Sequence, residues 1–323
     1  MQSNSTNPID VLTIGRVGID LYPLQNGRPL DQVESFQKYI GGSATNVAIA
    51  AAQHGLRAAV ITRTGMDPFG KFIKDELIRL GVSNHYVSSV HNVNTPVVFA
   101  EIFPPDNFPL YYYREPKAPD LMIESKDLDL DAIKAAKIYW STLTGLSDEP
   151  SRSAHFTAWN VRNRCAHTVL DLDYRPTLWK YPNSANVQIT NALREVSIVI
   201  GNLEECELAT QESDPQRAAS ALLDKGVEIA VVKMGPHGVL AKSRNETVHK
   251  LPYPVKVLNG LGAGDSFGGA FCFGLLQGWD LERTTNFANM AGAINASRQE
   301  CATAMPTTQE VLTALAQTEK EEK

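Results

Sequence analysis

Short apolar runs alternate with amphipathic ones along most of this chain. The runs 11-VLTIG-15, 58-AAVIT-62, 168-TVLDL-172, 196-VSIVI-200 and 229-IAVVK-233 are rich in β-branched residues and mostly lack alternating polar positions. Strands buried on both faces have this look. Between them, 43-SATNVAIAAAQHG-55 opens on Ser43 as a helix cap and stops at Gly55, and 68-PFGKFIKDELIRLG-81 carries Pro68 at a tolerated first-turn position. The pattern predicts an α/β fold with a mostly parallel central sheet and helices on both faces. Two stretches break it. Residues 16–40 are polar and turn-rich, and residues 95–115 carry 97-VVFAEIF-103 and 110-LYYYR-114 around Pro104, Pro105 and Pro109. Both read as extended, hairpin-forming segments that leave the main sheet and meet as a small second layer. No linker or repeat interrupts residues 10–310, so one domain with a β excursion is expected, with flexible tails at 1–9 and 318–323.

Composition narrows the class. The chain has 323 residues, 43% hydrophobic and 20% charged, which excludes a disordered chain, a collagen-like repeat and a coiled coil. That length can bury a core without a metal or disulfide staple. A net charge of −6 argues against a protein that coats nucleic acid, and leaves room for a small basic pocket. Cys165, Cys206, Cys272 and Cys301 form no C-x-x-C pair, and the seven histidines show no paired metal spacing. With no signal-like start and no apolar run long enough to span a bilayer, a cytoplasmic protein with no membrane partner is expected.

The stretch 260-GLGAGDSFGGAFCFGLLQG-278 sets Gly260, Gly262 and Gly264 ahead of Asp265 and a helical run. Glycine-rich backbone at a helix N-terminus makes an anion site. A carboxylate there repels the anion, unless its task is to take a proton from a hydroxyl attacking beside it. A glycine turn with Asp265 as a favourable first-turn acid fits the stretch equally well. The dinucleotide pattern G-x-G-x-x-G fails at Phe267, and the first strand runs into 15-GRVGID-20, which ranks an oxidoreductase last. The stretch 65-GMDPFGKF-72 has phosphate-loop spacing but places Phe72 where a magnesium-binding hydroxyl is needed, so it reads as a strand-to-helix turn. In 41-GGSATN-46, Asn46 lies one turn into a helix where its amide reaches sugar hydroxyls, or else the segment is a small-residue helix packed on the sheet. Asp20 is a turn former or a group that holds two hydroxyls. In 202-NLEE-205 the acids either hold magnesium beyond a strand's carboxyl end or stabilise a helix start. Arg114 follows a run of tyrosines and Arg175 follows a strand; each offers a fork for a carboxylate or an ordinary surface ion pair.

Together, 41-GGSATN-46, 202-NLEE-205, 233-KMGPHG-238 and 260-GLGAGDSFGGAF-271 resemble the PfkB (ribokinase-like) carbohydrate kinase family across about Val11 to Thr307. The resemblance implies a three-layer α/β/α domain with a small β lid, here residues 16–40 and 95–115, and ATP with Mg2+ as cofactors. It makes Asp265 the catalytic base and the N–H groups of Gly262, Ala263 and Gly264 an anion hole. It puts Asp20, Gly42 and Asn46 on sugar hydroxyls, and Asn202, Lys233, Gly235, Gly238 and Asn289 along the nucleotide. Glu205 acts indirectly on magnesium. Many members carry an aspartate and a threonine ahead of G-A-G-D; 258-LNGL-261 has neither, which puts in doubt their monovalent cation site. Within the family, 12-LTIGRVGIDLYP-23, 110-LYYYREPKAPD-120 and 171-DLDYRPTLW-179 look most like kinases of sugar acids, with Arg16, Tyr112, Arg114 and Arg175 as the substrate's partners. A non-catalytic relative would have lost the base or the glycines. The exposed edge of a β lid leads us to expect a homo-oligomer.

Overall fold

The computed structural model describes residues 9–321. Of the tails expected at 1–9 and 318–323, residues 1–8 and 322–323 lie outside the described residues. In chain order the elements are β1 (Val11–Ile14), β2 (Gly18–Pro23), β3 (Phe36–Gly41), α1 (Ser43–Gln53), β4 (Ala58–Gly65), α2 (Pro68–Arg79), β5 (Val82–Ser83), β6 (Val87–Val90), β7 (Val97–Ala100) and β8 (Leu110–Tyr113). There follow α3 (Leu130–Ala135), β9 (Ile138–Thr142), α4 (Ser151–Arg162), β10 (Thr168–Asp171), α5 (Ser184–Ala192), β11 (Ile198–Asn202), α6 (Leu203–Thr210), α7 (Pro215–Asp224) and β12 (Ile229–Lys233). The chain closes with β13 (Val239–Ser243), β14 (Thr247–Lys250), α8 (Ala263–Leu276), α9 (Leu281–Ala296) and α10 (Thr308–Glu321). Residues 318–321, expected as tail, are the last turn of α10.

The main sheet runs β14-β13-β12-β11-β10-β9-β1-β4-β5, with β6 also on β4. It is parallel from β5 to β12 and turns antiparallel only at the β13–β14 end. β1, β9 and β10 are buried at every position, as strands covered on both faces are. Successive residues feed two cores. Val11 and Trp140 join α1, α8 and α9 on one face, while Leu12 and Tyr139 join α4, α5 and α7 on the other. The expected three layers are therefore present. The apolar-run reading passes over β9, because its bulky Tyr139 and Trp140 are followed by Ser141 and Thr142, whose hydroxyls are buried.

β2, β3, β7 and β8 form a separate four-stranded sheet in the order β3-β2-β7-β8. The two hairpins, one from each irregular stretch, join through parallel β2 and β7. The phosphate-loop lookalike is a helix start: Pro68 stands in the first turn of α2, and Asp67 caps it by accepting from the Gly70 N–H at 2.7 Å. Ser43 differs from expectation. Gly42 occupies the cap position of α1, and the Ser43 hydroxyl instead donates to Asp173 Oδ2 at 2.6 Å. Among the described residues no helix is long and apolar enough to cross a membrane. All four cysteines are free, and all but Cys165 are buried.

Candidate active site

One cavity opens at the carboxyl ends of β1, β10, β11 and β12, where open parallel sheets place their ligands. The small sheet forms one wall through Asp20, Tyr22, Val98 and Leu110. These side chains share a face because Asp20 and Tyr22, like Leu110 and its cross-strand partner Ala100, follow the alternation of each strand. The N-terminus of α1 adds Gly42, Ser43 and Asn46, and that of α8 adds Gly262, Gly264 and Asp265.

Both helix starts depend on glycine. Gly42 has φ 110°, and a Cβ there would lie 2.4 Å from the Arg16 carbonyl. Gly262 has φ 80°, and a Cβ there would lie 1.9 Å from Cys301 Sγ. The turn at Gly262 leaves backbone donors free. The N–H groups of Gly262, Gly264 and Asp265 have no acceptor among the described residues, whereas Ala263 N–H leans on the Gly260 carbonyl at 3.4 Å. Of the three N–H groups expected as an anion hole, those of Gly262 and Gly264 are free and that of Ala263 leans on Gly260, while the N–H of Asp265 is free beside them.

Asp265 Oδ2 accepts from Asn46 Nδ2 at 2.8 Å, and its other oxygen has no hydrogen-bond partner among the described residues. Burial, then the charge of Asp173, raises this carboxyl to about 6, against the pull of Asn46, Lys233 and Arg16. Asp20 is likewise raised to about 6 by burial, with Arg16 and the Tyr22 hydroxyl opposing. Asn46 Oδ1 is buried without a partner.

Three cations, Arg16, Arg175 and Lys233, stand among five acids, Asp20, Asp171, Asp173, Glu205 and Asp265. Asp173 is the hub: it accepts from Ser43, from Arg16 at 3.3 Å and from Arg175 at 2.9 Å. Burial works to raise its carboxyl, and the two arginines overcome it and hold it below the usual range. Asp171 is pushed well up by burial despite Lys233, and its Oδ1 is buried and unpartnered. Burial works to neutralise Lys233, but Asp171, Glu205 and Asp265 outweigh it and keep it charged. The Lys233 ammonium lies 3.0 Å from the position a Cβ on Gly264 would take, beside the free N–H groups. Asn202 and Glu205 form a reciprocal cap of α6, Asn202 Oδ1 accepting from Glu205 N–H at 2.8 Å and Glu205 Oε2 from Asn202 N–H at 2.7 Å. Both still line the cavity. Among the described residues no three His, Cys, Asp or Glu side chains are grouped to hold a metal ion.

Not every expected residue arrives here. Arg114 does not line the cavity: its Nη2 donates to both oxygens of Asp120, at 2.8 and 3.1 Å, and the two side chains are 9% and 1% exposed. It is a buried structural ion pair, which corrects its assignment to the substrate. Tyr112 supports Arg16, whose guanidinium carbon lies 5.7 Å from its ring centroid. Gly235 and Gly238 form the turn between β12 and β13, and Asn289 Nδ2 donates to the Leu251 carbonyl; all three lie outside the cavity. Asp171, Asp173, Ser43 and Cys301 line the cavity without having been singled out as site residues in the sequence.

Asn259 stands in the stretch ahead of G-A-G-D, where an aspartate and a threonine are absent. Asn259 is fully buried; its carbonyl accepts from Leu261 N–H at 3.0 Å, and its amide donates to the Gln299 carbonyl at 2.9 Å.

Comparison with known proteins agrees with this architecture. Residues 9–308 match the pfkB family carbohydrate kinase profile. The chain is 32% identical over 312 residues to a Clostridium tetani protein named 5-dehydro-2-deoxygluconokinase, covering 94% of this chain and 92% of that one. A Listeria monocytogenes protein of the same name is 31% identical, with 99% of each chain covered. Among solved structures, a putative ribokinase II from E. coli in complex with ATP and Mg2+ shares the fold, with a TM-score of 0.87 at 23% identity over 96% of this chain and 99% of that one. The chain belongs to the pfkB family of carbohydrate kinases, phosphotransferases whose acceptor is a sugar hydroxyl.

Proposed function

We propose that this kinase moves the γ-phosphoryl group of ATP to the terminal hydroxyl of a sugar acid, 5-dehydro-2-deoxy-D-gluconate, giving its 6-phosphate in the cytoplasmic catabolism of myo-inositol. The observation that carries the acid preference is the sharing of one carboxylate, Asp173, by two guanidinium groups, Arg16 and Arg175. Arg175 also reaches Glu205 at 3.6 Å, whereas Arg16 Nε is buried without an acceptor among the described residues. A substrate carboxylate completes that arrangement; a neutral sugar leaves it unsatisfied. The names of the relatives support the particular acid.

In the transfer, the sugar oxygen bonds to the γ-phosphorus as the bond to ADP breaks, and the hydroxyl proton passes to the free oxygen of Asp265. A carboxyl near 6 is ionised at neutral pH and basic enough to take it. The free N–H groups of Gly262, Gly264 and Asp265 and the Lys233 ammonium receive the charge on the phosphoryl oxygens. Mg2+ brought with ATP would neutralise phosphate charge, and Asn202 and Glu205 at the start of α6 would act on it through its bound water. Gly235, Gly238 and Asn289, outside the cavity beyond β12 and on α9, are assigned to the nucleoside end of ATP. The small sheet is the lid, excluding water once sugar is bound. With Asn259 bracing the loop ahead of α8, no monovalent cation is required.

The lid also supports a homo-oligomer. Tyr113 and Tyr111, 66% and 45% exposed, stand with Phe99 on its outer face beside edge strand β8.

A coupled assay of ADP release tests the substrate. The highest kcat/KM is expected for 5-dehydro-2-deoxygluconate, ahead of 2-keto-3-deoxygluconate, fructose, ribose and nucleosides. A neutral sugar in first place overturns the acid reading.

A further inference from the structure

We propose that Asn46 is a positioning residue for the base, its amide held in one orientation by the Cys301 thiol so that an N–H points at Asp265. This rests on Asp265 being the base, and it gives Asn46 a task beyond holding sugar hydroxyls.

An amide has two N–H bonds to give, and here both are spent. One goes to Asp265 Oδ2 at 2.8 Å and the other to Cys301 Sγ at 3.4 Å. The thiol cannot drift. It is 2% exposed, lies where a Cβ on Gly262 would be, and lies against the Tyr22 hydroxyl, which donates to Asp20 Oδ2 at 3.3 Å. A contiguous line therefore runs from Asp20 through Tyr22, Cys301 and Asn46 to Asp265, drawn from β2, the segment after α9, α1 and α8.

Two consequences follow from the geometry. With Oδ2 occupied, only one oxygen of Asp265 remains to receive a proton, and its direction is set by Asn46. With both N–H bonds spent, Asn46 offers substrate its unpartnered carbonyl, so it accepts from a hydroxyl and has nothing to donate to a ketone. Burial keeps the Cys301 thiol protonated, so the contact is a neutral brace and adds no charge beside the base.

The hydrogen bond from Asn46 favours the ionised form of Asp265. Asp265 is also faced by Asp171 at the end of β10 and Asp173 beyond it, Lys233 at the end of β12, Arg16 beyond β1 and Cys301, none of which these variants alter except Cys301 itself.

The test is the pH dependence of kcat in Asn46→Ala, Asn46→Asp, Cys301→Ala and Cys301→Ser, with KM measured at each pH. Asn46→Ala is expected to move the acid limb up by about half a unit or more, and Asn46→Asp further, because two carboxyls then share the 2.8 Å contact. Cys301→Ala is expected to give part of the Asn46→Ala shift, and Cys301→Ser, which keeps an acceptor, to restore the limb. If Asn46→Ala raises KM with the limb unmoved, Asn46 only binds sugar and the proposal fails. If the two Cys301 variants share one limb, the thiol does not orient the amide. Failure of Asp265 as base would show separately, as near-normal turnover in Asp265→Asn.

Discussion

The two ends of the central sheet treat a carboxylate in opposite ways. At the amino end, just before β1, Asp10 is fully paired: its Oδ2 accepts from Arg57 N and Nε at 2.9 and 3.0 Å, and its Oδ1 from Arg57 Nη2 at 3.0 Å and Lys137 Nζ at 2.9 Å. The Arg57 side chain dominates and holds that carboxyl far below its usual range, against the cost of burial. At the carboxyl end, five acids share three cations, Asp20 and Asp265 are raised to about 6 by burial, and three backbone N–H groups stand open. One end is satisfied by the chain itself; the other awaits a ligand. Their pH responses have opposite signs. Asp10 stabilises the fold above its unfolded value near 4, and that stability is lost as pH falls. Asp20 and Asp265 are raised, so their stabilising effect is complete only below their unfolded values and is lost as pH rises through about 6.

The largest effect is expected at Asp265. Asp265→Asn should lower kcat by about a thousandfold while ATP and sugar still bind. The same change should raise stability at pH 7.5, by about 1–3 kcal/mol after allowance for partial exposure, because it removes a carboxylate held above its unfolded value. In the active protein kcat/KM should fall as pH drops through about 6. A variant that loses both activity and stability would mean Asp265 is structural, and the contrast between the two ends would collapse.

Two arginines carry the contrast into the substrate. Arg114→Ala strips Asp120, 1% exposed, of its partner and should cost about 3–5 kcal/mol in denaturant unfolding. Its folded fraction should keep KM for the sugar acid. Arg16→Ala leaves Asp173 with Arg175 and Ser43, so its stability loss should be smaller, and it should raise KM for the sugar acid about tenfold with little effect on KM for ATP. A KM effect at Arg114 matching that at Arg16 would return Arg114 to the site.

Smaller again is Asp10→Asn, expected to lose about 1–2 kcal/mol, since Arg57 and Lys137 are about half exposed, at 44% and 49%, and recover water. Its kcat should not change.

These contrasts also explain what could be read from the sequence. β1, β4, β10, β11, β12, α1, α2 and the two hairpins of the small sheet are written in local periodicity, so their apolar runs found them, while β9 with its buried Ser141 and Thr142 was missed. Asp265, Asn46 and the glycines were legible because helix starts and tight turns restrict residue type within a few positions. Asp173 was not, because its partners Ser43 and Arg16 lie 130 and 157 positions away. Cys301 meets Asn46 across 255 positions. Arg114 failed differently: Asp120, six residues on, was in plain view, but whether the two point together depends on how the chain turns at 115–119.

The smallest expected effect concerns a residue at the ligand end that is nonetheless satisfied. Asn259 spends its carbonyl on Leu261 and its amide on Gln299, tying the loop before α8 to the segment after α9. Replacing K+ by Na+ or tetramethylammonium should change wild-type activity by less than about twofold, the effect of a screened surface ion at most. Asn259→Asp replaces the N–H by an oxygen facing the Gln299 carbonyl, a buried and unpaired charge. That variant should be less stable, and K+ should raise its melting temperature while leaving the wild type's unchanged. A wild type whose activity falls tenfold without K+ would show that the amide brace does not do a cation's work, and that this corner of the site also awaits a ligand.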